Sequence, residues 1–167
     1  MESSLHAGKE KPHSNLAQQA LWFLAHTVVA ILSWLALMWV GYLVNPSSVP
    51  QTAILALSFA VPLVAGMAVM RFRQDEMAPL VWLVGLIWIL IISLWVLDMP
   101  TGPNACFQCG ATEKLTRTFF SLPRPSGLLD NDGPFLGTWP AAALLGYAIG
   151  ARIALKKRTA PQAAPRS

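Results

Sequence analysis

The stretch "ALWFLAHTVVAILSWLALMWVGYLV", residues 20 to 44, carries no formal charge. At about 1.5 Å of rise per residue, a helix of this length exceeds the roughly 30 Å of hydrocarbon in a bilayer. It therefore predicts a membrane span with some tilt. A secretory signal peptide would have an apolar region of about 7–15 residues followed by a small-residue cleavage site, and neither feature fits, so the run reads as an uncleaved first helix.

Further apolar blocks lie on its C-terminal side. "NPSSVP", residues 45 to 50, is a turn with two prolines, and "TAILALSFAVPLVAGMAVM", residues 52 to 70, is long enough for a second span. Pro62 removes the backbone bond to the Ser58 carbonyl, which predicts a kink. After the charged connector "RFRQDEMAP" comes "LVWLVGLIWILIISLWVL", residues 80 to 97, a third span. A long segment rich in Pro and Gly, residues 98 to 137, separates it from a fourth, residues 138 to 155, with Pro140 tolerable in its first turn. Residues 1 to 19 are a polar tail and residues 156 to 167 a basic one.

Composition agrees with this division. Apolar residues make up 54% of the 167-residue chain and charged residues 12%, about half the share in an average soluble protein. The expected fold class is all-α: an integral membrane four-helix bundle over residues 20–155 with one long extracytoplasmic loop.

Cations set the expected orientation. With four spans, the tail, the 71–79 connector and the C-terminal end share one side, holding Lys9, Lys11, Arg71, Arg73, Arg152, Lys156, Lys157, Arg158 and Arg166. The other side holds only Lys114, Arg117 and Arg124. The positive-inside rule then places both termini in the cytoplasm and the chain in the inner (plasma) membrane. Trp22 and Trp82 fall near the inner boundary, and Trp39, Trp95 and Trp139 near the outer one, as aromatic belts do. The net charge of +4 belongs to this topology and not to nucleic acid, because no basic stripe interleaves with aromatics.

Cys106 and Cys109, in "NACFQCGATEK", are the chain's two cysteines and face outward in this scheme. In an oxidising compartment such a close pair is expected as a disulfide that shapes the loop. Short bridges can be strained and reducible, which leaves a thiol–disulfide oxidoreductase, with quinone as acceptor, as an alternative. Residues 111–122, "ATEKLTRTFFSL", read as a short amphipathic helix with Leu115, Phe119 and Leu122 on one stripe and a Glu113–Arg117 pair opposite. Its N-terminus would favour a thiolate just ahead of it. Two cysteines fall short of the four ligands of a structural zinc site, and Gly110 stands where covalent haem attachment needs histidine. Asp130 and Asp132 resemble the start of a calcium loop but lack the later glutamate, and a turn is the simpler reading.

Ionisable groups at membrane depth mark proton-driven carriers, and here His26 is the exception in otherwise apolar spans. It reads either as a ligand or quinone contact or as a buried interhelical hydrogen bond. Ala142, Gly146 and Gly150 in the fourth segment, and Ala56 and Ala60 in the second, recur every four residues, the spacing that lets helix backbones approach closely. Such faces pack the bundle internally, dock a protein partner or drive self-association. Paired catalytic carboxylates, a Ser-His-Asp set and a glycine-rich phosphate loop are missing from the sequence. The expected role is therefore a non-catalytic accessory or assembly subunit of a larger membrane complex, without a cofactor. The alternatives are the oxidoreductase and a small oligomeric channel or carrier.

Overall fold

A computed structural model of the chain describes residues 14–44, 49–98, 109–121 and 133–159. These form α1 (Ser14–Val44), α2 (Gln51–Phe72), a 3-10 turn (Ala78–Val81) leading into α3 (Trp82–Asp98), α4 (Ala111–Phe120), a single helical turn α5 (Gly133–Leu136) and α6 (Thr138–Thr159). Among the described residues the chain is all-helical.

Three segments are long and apolar enough to cross a membrane: Leu16–Leu43, Gln51–Phe72 and Ala78–Asp98. Their outward surfaces support the same conclusion. On α3, Leu86, Ile87, Leu90, Ile91 and Leu94 are all exposed on the isolated chain, an apolar face of the kind that needs lipid or protein around it. The helix is apolar on every side, the pattern of a span and not of a surface helix in water.

α6 differs from these three in composition and in position. It carries Arg152 and a high share of Ala and Gly, and it is the helix most enclosed by its neighbours. Trp139, Leu144, Tyr147 and Ala151 are buried on it. A helix shielded from lipid has no need of the large apolar side chains that cover α3.

α6 lies along α2 and runs parallel to it. A Cβ added at Gly146 would meet the Phe59 carbonyl, one at Gly150 the Leu63 carbonyl, and one at Gly66 the Tyr147 carbonyl. From Ile54 beside Trp139 and Ala143, through Phe59 at Gly146 and Leu63 at Gly150, the register advances in the same direction on both helices, and side-chain replacement at these glycines is blocked by backbone, which cannot swing aside. Close approach of this kind supplies the van der Waals contact that holds helices together where lipid removes the hydrophobic drive.

Two buried clusters mark the length of this contact. At the connector end Ala30, Met70, Ala78, Val81, Leu144, Tyr147 and Ala151 pack together. At the other end Trp34, Met38, Ile54, Trp139 and Ala143 do so, joined by the Phe135 ring, which lies between Trp34 and Trp139. α1 and α6 therefore meet at both ends of α2.

Several expectations shift. α1 begins at Ser14, before the apolar run, since polar residues such as Gln18 and Gln19 form helix readily. Trp139, expected at the outer boundary as a belt residue, is fully buried, whereas Trp39 and Trp95 are exposed. Ala56 and Ala60 are exposed. The buried stripe of α2 is instead Ile54, Ser58, Pro62, Gly66 and Met70, at the same four-residue spacing but two positions away.

Candidate functional site

The most polar buried constellation sits at the connector end and joins three segments. His26 on α1 is 4% exposed, and its Nδ1 lies 2.7 Å from the Tyr147 hydroxyl of α6. Its Nε2 faces the Asp75 carboxylate at 3.7 Å, an ion-pair distance too long for a hydrogen bond. One proton arrangement suits both neighbours: Tyr147 O–H donates to Nδ1, and the Nε2–H points toward Asp75. That tautomer follows from the partners.

Asp75 is placed by its own backbone. In the irregular segment after α2, its Oδ1 accepts the Met77 N–H at 2.9 Å, a local turn typical of aspartate. Its other carboxylate oxygen is thereby left facing His26. Two residues earlier, the Arg73 guanidinium lies over the Trp22 ring, 3.5 Å from its centroid, within cation–π range. Trp22 and His26 are four apart on α1 and so share a face. Arg73 and Asp75, two apart on the connector, dock onto that face.

Carboxylate, imidazole and phenol in this order could in principle pass a proton. The Tyr147 end is sealed, with the residue fully buried, and only Asp75 reaches toward solvent. The arrangement therefore fixes the connector against α1 and α6. Asp75 and Tyr147 were not singled out by sequence reasoning. Tyr147 offered one signal, a lone phenol among small residues in the fourth segment. Asp75 offered none, because the register of a connector against a distant helix is a tertiary property.

The other residues proposed from sequence fall elsewhere. Gly146 and Gly150 meet α2, while Ala142, half-buried, lines an apolar groove of about 550 Å³ between α3 and α6. α4 roofs this groove through Leu115, Phe119 and Phe120. It is tied there by the Thr138 hydroxyl, which donates to the Phe119 carbonyl at 2.6 Å. Arg117 pairs with Glu113 at 2.7 Å on its exposed side. Cys109 lies just ahead of α4, but Cys106, and with it the Cys106–Cys109 pairing, is outside the described residues.

No family model, curated protein or solved structure matches this chain.

Proposed function

We propose that the chain is a four-span inner-membrane protein with both termini cytoplasmic, serving as a non-catalytic accessory or assembly subunit of a larger membrane complex. The four-span reading is supported by the parallel course of α6 along the length of α2. A helix running beside a span for that distance occupies the same depth, and in a chain entering from the cytoplasm the second and fourth spans both return inward. The cations Arg71, Arg73, Arg152 and Lys156 then gather at one face, as the positive-inside rule requires.

The observation that carries the non-catalytic reading is the closed His26 cluster. The one histidine in the spans is taken up by Tyr147 and Asp75 and secures the connector, which is the work of a scaffold. In this topology Cys106 and Cys109 face the oxidising side and form a disulfide that shapes the segment before α4. Purification of the tagged full chain in mild detergent tests the role: a foreign membrane protein at fixed stoichiometry is expected, and a lone chain or a pure homo-oligomer contradicts it.

A thiol–disulfide oxidoreductase is the second reading, favoured by the place of Cys109 immediately before the N-terminus of α4. A helix start stabilises a thiolate. A mixed disulfide trapped by a Cys106→Ser or Cys109→Ser variant would establish it.

A further inference from the structure

The apolar groove does not end where α4 leaves it. A second cavity of about 560 Å³ lies toward the connector end, lined by Leu80, Ile149, Arg152 and Leu155. Trp82 and Leu145 line both cavities, so the two adjoin and together make a lateral channel between α3, with its leading 3-10 turn, and α6. We infer that this channel is a binding site for a single anionic phospholipid, with its headgroup at Arg152 and one acyl chain running up between α3 and α6 beneath α4.

Three features select that occupant. Chemistry comes first: the upper part is lined by side chains such as Leu86, Ile89, Phe119 and Ala142. The two hydroxyls beside them, Ser93 and Thr138, already donate to the Ile89 and Phe119 carbonyls. With those hydroxyls already used and the remaining lining almost wholly apolar among the described residues, a hydrocarbon chain fits there and a headgroup does not.

Charge comes second. Among the described residues Arg152 is the one charged residue on the channel wall; it is exposed and its side chain makes no ion pair or hydrogen bond there. Lys156, one turn further on, shares its face. Cations between helices at the membrane boundary are a recurring headgroup site.

Length comes third. From Arg152 to Thr138 the channel follows about 21 Å of helix, within the roughly 30 Å hydrocarbon core. The whole run stays within the hydrocarbon, so one acyl chain can lie along it from a headgroup held at Arg152.

The test is lipid retention by the full-length protein, read by native mass spectrometry after exchange into micelles containing phosphatidylglycerol or phosphatidylcholine with identical acyl chains. The wild type should retain one phosphatidylglycerol per chain in preference to phosphatidylcholine, by about fivefold, the effect of one cation near an anionic headgroup. Arg152→Gln should abolish the preference while leaving the helix content by circular dichroism unchanged. Leu145→Trp, at a half-exposed position facing both cavities, should reduce retention of both lipids several-fold. Equal retention of the two lipids by the wild type overturns the proposal, as does an unaltered preference in Arg152→Gln. A co-purified membrane protein that crosslinks to a photoreactive residue at Leu86, with no lipid retained, assigns the channel to a partner helix and overturns it equally.

Discussion

His26 and Tyr147, 121 positions apart in sequence, share a 2.7 Å hydrogen bond between α1 and α6, and His26 faces the Asp75 carboxylate on its other side. Removing either bonding partner leaves a buried polar group unmatched, a cost of about 1–3 kcal/mol. Tyr147→Phe and His26→Phe should each destabilise the protein in detergent unfolding experiments. The double variant should cost less than the sum of the two, with a coupling of roughly 0.6–2 kcal/mol, the range for interhelical hydrogen bonds in membranes. Strict additivity would mean that the pair contributes nothing specific.

Gly150 and Gly85 make a contrasting pair. A Cβ at Gly150 would overlap the Leu63 carbonyl, whereas one at Gly85 would make ordinary contact, 3.4 Å from the Leu144 Cβ. Gly150→Val should therefore force α2 and α6 apart and cost about 3 kcal/mol or more, at the upper end of overpacking. Gly85→Ala should be nearly silent. Comparable melting temperatures for the two variants would rule out the close α2–α6 contact.

The connector depends on two attachments to α1, Arg73 over Trp22 and Asp75 opposite His26. Arg73→Ala should lose about 0.5–2 kcal/mol of local stability, the range of a cation–π contact. It should raise the rate of limited proteolysis between residues 73 and 77, with helix content by circular dichroism unchanged. Unchanged cleavage would show that the Trp22 contact does not hold the connector.

The proposed Cys106–Cys109 disulfide would close a ring of four residues, for which chain-entropy arguments give about 2 kcal/mol. A Cys106→Ser/Cys109→Ser variant should accumulate to a lower level while retaining whatever protein co-purifies with the wild type. Normal abundance together with loss of electron transfer from a thiol substrate would favour the oxidoreductase instead.

The membrane-spanning segments were legible because uncharged runs longer than the bilayer's hydrocarbon have few soluble alternatives. The glycines of α6 were legible too, since Gly146 and Gly150 at helical spacing serve close approach and little else. Ala56 and Ala60 lie on the outer side of α2, which presents Ser58, Pro62 and Gly66 to its neighbours within the chain. Trp139 was placed by its distance from the membrane boundary, but burial depends on the side of the helix, which α1 and α6 settle between them. The partners of His26 lay beyond reach for the same reason. Periodicity orients a residue on its own helix and is silent about which distant segment arrives opposite.

If α6 crosses the membrane beside α2, then α4 and the end of α6 lie on opposite sides. Single cysteines introduced by Lys114→Cys or Lys156→Cys, in a Cys106→Ser/Cys109→Ser background, can be probed with a membrane-impermeant maleimide. Lys114→Cys should label in intact cells and Lys156→Cys only after permeabilisation. Labelling of both positions from the same side of the membrane would contradict the account.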